Sequence, residues 1–171
     1  LTDSAVCGYD TAAKMNPPLR TQADIDALIE GLSDGTIDAI ATDHAPHSSI
    51  EKDVEFDVAA NGVVGLETSL GLMLGLLNSK ANKKALSLET VISAMTINPS
   101  KVMNLTTGTL GIGKEADITL INLEKKWTIN SEEFRSKGRN TPFEGMSIKG
   151  RVVRTLVKGE TIFELNEGKA T

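Results

Sequence analysis

Ile37 to Thr42 is a short apolar run rich in residues that favour strands, and Pro46 limits how far it can extend. Proline has no N–H to give to a ladder, so a central strand here has to stop near Asp43. Upstream, Thr21 to Leu32 places Ile25, Leu28, Ile29 and Leu32 at i, i+3, i+4 and i+7, which predicts an amphipathic helix. Thr21 can cap that helix, and Asp24 sits near its positive end. Asp34-Gly35 closes it. Helix, tight turn and buried strand in succession are the order of an α/β repeat. The end of the predicted strand then carries Asp43 and both histidines of the chain, His44 and His47. In α/β barrels and open parallel sheets, active sites are built at this end.

The rest of the chain divides at about residue 105. Leu1 to Arg20 has no sustained period, and Gly8, Pro17 and Pro18 mark it as loop. Asn16-Pro17-Pro18-Leu19-Arg20 is stiff, because two prolines fix φ; it can hold Asn16 and Arg20 in place or simply lead into the helix. Ser48 to Asp57 is polar and predicts a mobile surface loop, and Asn61-Gly62 is a turn signal. Leu66 to Leu77 predicts a buried helix with Leu66, Leu70, Met73, Leu74 and Leu77 on one stripe; Gly71 and Gly75 would allow close packing. Ser87 can cap a helix through Met95, and Asn98-Pro99 can open another that turns Val102, Met103 and Leu105 inward. From Thr106 the chain is punctuated by glycines. Strands are expected over Ala116–Ile121, Trp127–Ile129, Gly150–Val157 and Thr161–Phe163, with one helical turn around Phe134, a structured loop at Asn140–Gly145 and a frayed end from Asn166. The reading is an α/β unit over residues 1–105 and a small β-rich unit over 106–171.

Composition excludes several classes. A chain of 171 residues can bury one core, or a core with a small appendage. A net charge of -5 without a long basic run gives no support to nucleic-acid binding. The apolar stretch Leu70 to Leu77 is too short to span a bilayer, so no membrane partner is expected. Cys7 is the only cysteine, which rules out an internal disulfide and makes a reducing, cytoplasmic compartment the default. The chain opens at Leu1 in what reads as mid-protein sequence, and it is expected to be a piece of something longer.

Asp-His-x-x-His at 43–47 offers one carboxylate and two imidazoles. An aspartate at a strand end also caps turns, and a histidine there also satisfies backbone groups, so structural and catalytic readings both stand at this point. A catalytic zinc takes about three protein ligands plus an open position. Successive residues of a strand point to opposite faces, so Asp43 and His44 do not suit one ion together. The cluster therefore reads as part of a metal site whose other ligands lie elsewhere.

Ala41-Thr42-Asp43-His44-Ala45-Pro46-His47 resembles the late signature of the bacterial dihydroorotases of the amidohydrolase superfamily. The resemblance continues, in order, through Gly8-Tyr9-Asp10, Lys14-Met15-Asn16-Pro17-Pro18-Leu19-Arg20, Gly65-Leu66-Glu67-Thr68, Asn98-Pro99, Gly111-Ile112-Gly113-Lys114-Glu115-Ala116-Asp117-Ile118 and Ser136-Lys137-Gly138-Arg139-Asn140-Thr141-Pro142-Phe143-Glu144-Gly145. It implies the C-terminal part of a (β/α)8 TIM barrel followed by a small β-rich domain, roughly two-fifths of the family's usual length.

The implied reaction is the reversible cyclisation of N-carbamoyl-L-aspartate to L-dihydroorotate in pyrimidine synthesis, with zinc at the strand C-termini. Zinc lowers the pKa of bound water and polarises the carbonyl. Asp43 is implied both as a metal ligand and as the group that takes a proton from the attacking water and returns it in ring closure. Asn16 and His47 are implied to hold the substrate's ring and carboxylate, and Asn61 and Gly62 to make a backbone contact with the ring. Asn61 stands where members often carry phenylalanine, which preserves a backbone contact but not aromatic packing. The implied partners are the small-molecule substrate, the remaining N-terminal part of the same enzyme with most of the zinc ligands, and a second copy in a homodimer. Another cyclic amidase, such as a hydantoinase or allantoinase, is the alternative enzyme. A non-catalytic scaffold of aspartate transcarbamoylase is the alternative outside enzymes; retention of Asp43 weighs against it.

Overall fold

The computed structural model describes residues 1–77 and 86–165; the expected frayed end from Asn166 lies outside them. Helices occupy the first part: α1 (Gln22–Asp34), α2 (Ser49–Lys52), α3 (Ser69–Leu77), α4 (Leu88–Met95) and α5 (Ile97–Val102). Three strands follow, β1 (Ile118–Thr128), β2 (Ser147–Val157) and β3 (Glu160–Glu164), in one antiparallel sheet of order β1-β2-β3.

Local chemistry accounts for these boundaries. The Asp24 carboxylate accepts from the Thr21 N–H at 3.0 Å and its hydroxyl at 2.6 Å, starting α1, and Gly35 ends it with φ 82°. Ser87 Oγ accepts from the Thr90 N–H at 3.0 Å and caps α4. Lys158 and Gly159, at φ 52° and 83°, form the two-residue turn that suits the twist of β2 and β3. The two expected strands at Ala116–Ile121 and Trp127–Ile129 are one strand, β1, irregular in register between Asn122 and Lys126. There the Asn122 side chain accepts from the Glu124 and Lys125 N–H groups.

Two apolar clusters hold these pieces. Ile29, Leu86 and Val91 form one, with Ile25, Leu32 and Met73 against it. Val64, Ile129, Phe134 and Ile148 form the other, flanked by Leu72, Trp127 and Phe143, so α3 and the residues before it pack on the sheet. Val64 and Ile129 have no exposed surface, which is worth about 1.5–3 kcal/mol for each side chain. Gly71 makes that approach possible: a Cβ there would stand 2.6 Å from Ile148 Cδ1 and 3.1 Å from Trp127 Cζ2. Among the described residues nothing lies within 4 Å of a Cβ placed at Gly75.

Several expectations are corrected. Leu28, Leu66, Val102, Met103 and Leu105 are exposed instead of inward, because no described element covers them. Asn98 does not cap α5, which begins at Ile97; its side chain donates to the Asp38 carbonyl at 2.9 Å and ties α5 to the 37–43 segment. Ser48 to Asp57 is not a plain loop. Ser48 and Glu51 form a reciprocal cap that starts α2, and Lys52 at its end is buried. Residues 37–43 are not in a hydrogen-bonded ladder; among the described residues the segment's one bridge is His44 with Val63, in parallel.

Candidate active site

Four separated segments meet around His47: residues 10–16, 44–48, 60–63 and 138–141. The 37–43 segment delivers the second of them. At its end Asp43 takes φ 43°, in the left-handed region, which aspartate enters more readily than most residues with a Cβ. His44 then bridges to Val63, and the Ala45 N–H donates to the Val63 carbonyl at 3.0 Å. Asp43 is exposed. Among the described residues no hydrogen bond or ion pair reaches its carboxylate, which leaves it available to a ligand.

The two histidines do different things. His44 Nδ1 accepts from the Gly65 N–H at 3.2 Å and the Leu66 N–H at 3.4 Å, so it anchors the turn that leads into α3 and carries its proton on Nε2. His47 Nε2 donates to the Asn61 carbonyl at 2.9 Å, and its Nδ1 lies 3.6 Å from a Glu51 carboxylate oxygen. Hydrogen bonds from the Ser48 backbone and hydroxyl, with a smaller contribution from His47, hold the Glu51 carboxyl below its usual range.

Gly62 sits against this pair. Its N–H donates to the Lys14 carbonyl at 3.0 Å. Its φ is 139°, and a Cβ there would lie 2.5 Å from Ala45 Cβ and 3.1 Å from His47 Nε2. Only glycine fits such a conformation and such an approach. The structure thus brings His47, Asn61 and Gly62 into contact. Asn16 is exposed, two residues beyond Lys14, and joins the group through that backbone rather than through a side-chain bond.

Two residues that were not among the expected site residues organise the rest. Asn140 is 8% exposed. Its Oδ1 accepts from the His47 N–H at 2.9 Å, while its Nδ2 donates to the carbonyls of Ala45 at 2.9 Å and Gly62 at 3.0 Å. Lys52 is 7% exposed and donates from Nζ to the carbonyls of Ala60 (2.9 Å), Gly62 (3.1 Å) and Lys14 (3.4 Å). Burial pushes its pKa down, the Lys14 charge adds to that, and Asp10 opposes it. Lys14 itself donates to the carbonyls of Asp57 and Ala59. The spacing of Ser48 and Glu51 was a legible sign of the cap beside Lys52, but nothing in one sequence marks a lysine as buried. A cavity of about 540 Å³ opens beside His47, lined in part by Lys52, Lys137, Arg139 and Asn140 and by one carboxylate, Asp53, which leaves it with an excess of positive charge in an acidic chain.

Among the described residues no three of His, Cys, Asp and Glu lie together in a way that could hold a metal ion. His44 Nδ1 is occupied by backbone N–H groups and His47 Nε2 by the Asn61 carbonyl, whereas among the described residues no hydrogen bond or ion pair engages the Asp43 carboxylate. These residues alone do not form a metal site.

The model of the Amidohydrolase family matches residues 6–162. The dihydroorotase of Geobacter sp. (strain M21) is 54% identical over 164 residues, which cover 96% of this chain and 38% of that protein. The dihydroorotase of Syntrophus aciditrophicus (strain SB) is 47% identical over the same shares. Among solved structures, the L-hydantoinase (dihydropyrimidinase) from Arthrobacter aurescens superposes with a TM-score of 0.86 at 32% identity, over 96% of this chain and 37% of that one. The chain thus spans about two-fifths of the length of the relatives it matches. Its α/β fold is that of the C-terminal part of a (β/α)8 barrel followed by a small β-rich unit. The Asp43–His47 signature, the backbone cluster behind it and a family match running through nearly every element described above place the chain in the amidohydrolase family.

Proposed function

We propose that the complete protein carrying this chain is a dihydroorotase, a cyclic amide hydrolase that interconverts N-carbamoyl-L-aspartate and L-dihydroorotate. The observation that supports this reading best is the exposed, unengaged Asp43 at the end of the segment that also presents the His47–Asn61–Gly62 contact, in a chain 54% identical to a protein named dihydroorotase.

Asp43 is the proton carrier in this reading. In hydrolysis its carboxylate takes the proton of the water that attacks the ring carbonyl, and delivers it to the departing ring nitrogen. In ring closure the same carboxylate works in reverse. Asn16 and His47 hold the ring and the carboxylate, with His47 exchanging its bond to the Asn61 carbonyl for one to the substrate. Asn61 and Gly62 offer main-chain groups to the ring. The substrate is dianionic when open, and Lys52, Lys137 and Arg139 in the lining of the recess, against one carboxylate, Asp53, favour its approach.

The amidohydrolase family is generally metal-dependent. Zinc is the metal of this reading, with Asp43 as this chain's ligand and the others from the remaining part of the enzyme. Residues 1–105 belong to the barrel and 106–171 to the small β-rich unit. The complete enzyme is a cytoplasmic homodimer; among the described residues no helix is long and apolar enough to cross a membrane.

A hydantoinase is the second reading, favoured by the superposition on the L-hydantoinase. The complete enzyme, assayed on N-carbamoyl-L-aspartate, L-dihydroorotate and a hydantoin, separates the two. Turnover of the first pair at a kcat/KM well above that for hydantoin supports the dihydroorotase reading, and the reverse order overturns it.

A further inference from the structure

Lys52 is the only buried charged side chain among the described residues. Among those residues no carboxylate pairs with it; its ammonium faces three main-chain carbonyls. Removing an ammonium from water is costly, and for cohesion alone an apolar side chain would serve as well or better. What the ammonium does that an apolar group cannot do is hold three converging carbonyl oxygens together.

Those carbonyls belong to the segments that carry the expected substrate contacts. Lys14 stands two residues before Asn16, and Ala60 and Gly62 flank Asn61. The Ala60 and Gly62 carbonyls both meet the Lys52 ammonium, while the Asn61 carbonyl between them meets His47 Nε2. Lys52 also ends α2, whose cap residue Glu51 faces His47 Nδ1. Among the described residues no hydrogen bond or ion pair links the Asp43 side chain to this arrangement.

We propose that Lys52 is a positioning residue: by gathering the Lys14, Ala60 and Gly62 carbonyls it sets the geometry of the substrate-binding loops without touching the proton-transfer group. The choice of substrate for the test rests on the reading above; the role of Lys52 does not. The test uses the complete enzyme with Lys52→Met and Lys52→Arg. Both should raise KM for N-carbamoyl-L-aspartate by about 10- to 100-fold, with kcat within about threefold of wild type. Arginine keeps the charge, but its planar fork cannot serve three carbonyls gathered on an ammonium, so it should not rescue. Hydrogen exchange over residues 59–64 should rise in both variants.

Wild-type kinetics in Lys52→Arg, or a kcat loss as large as the KM rise, would overturn the proposal. If Lys52→Met does not fold, Lys52→Arg decides. Should the wild-type enzyme act on hydantoin and not on carbamoyl aspartate, the substrate reading fails and the same KM-against-kcat comparison on hydantoin decides Lys52. If it acts on neither, unchanged exchange over residues 59–64 in Lys52→Arg overturns the proposal and a local rise supports it.

Discussion

Asn140→Ala and Asn140→Asp test the hydrogen-bond network behind His47 with opposite chemical logic. The Asn140 amide is oriented by its partners: an oxygen toward the His47 N–H, and a nitrogen toward the Ala45 and Gly62 carbonyls. Truncation to alanine removes all three bonds. Gly62 keeps Lys52 as a donor, so two groups are orphaned, the His47 N–H and the Ala45 carbonyl. An unsatisfied buried polar group costs about 1–3 kcal/mol, and these two are half-buried, so about 2–4 kcal/mol in total is expected. Aspartate is nearly isosteric and keeps the acceptor for His47, but it sets an oxygen against two carbonyls where a donor is required. It should therefore cost at least as much as alanine. Urea unfolding of the complete enzyme, read as a change in midpoint at constant m, measures both. An Asn140→Asp variant within about 0.5 kcal/mol of wild type would refute the assigned orientation and the network built on it.

Three further outcomes follow from the geometry. Gly62→Ala should destabilise by about 2–5 kcal/mol, combining φ strain with overpacking against Ala45, and a loss under about 1 kcal/mol in the same unfolding assay would contradict the close approach. His47→Ala should raise KM while leaving metal content unchanged, since His47 is a substrate contact in this account; zinc loss measured by elemental analysis would make it a ligand instead. The Glu51 carboxyl is held below its unfolded value of 4.5 by Ser48, so its contribution is complete above that pH and is lost as pH falls through the lower folded value. Wild type should accordingly lose more stability than Glu51→Gln on acidification from neutral pH, and parallel losses would contradict the cap.

What could be read from the sequence was local. Thr21, Asp24 and Gly35 delimit α1 because capping chemistry acts within four residues, and Lys158-Gly159 announces the hairpin because few residues accept two positive φ values. Periodicity shows which residues share a face, but not whether anything covers that face; Leu28, Leu66 and Met103 were read inward and are exposed for this reason. The residues 37–43 have strand composition, yet a ladder needs a partner, and the described residues supply one bridge. The motif at Asp43–His47 was legible. The left-handed Asp43 was not, nor was the convergence of Lys14, Lys52 and Asn140 on the loops beside it. Asn140 lies 93 residues from His47, and a contact at that separation leaves no trace in a single sequence. A lysine reads as solvated by default, which hid Lys52.

Asp43→Asn in the complete enzyme tests the central claim most directly, because it removes a charge and a proton site while changing little in shape. Circular dichroism and zinc content establish that the variant is folded and loaded, and single-turnover cyclisation of N-carbamoyl-L-aspartate then reads the chemical step. A loss of about 10²–10⁴-fold in that step, the usual worth of a positioned proton carrier, is the predicted result. A folded, zinc-loaded Asp43→Asn variant that cyclises at close to the wild-type rate would contradict it.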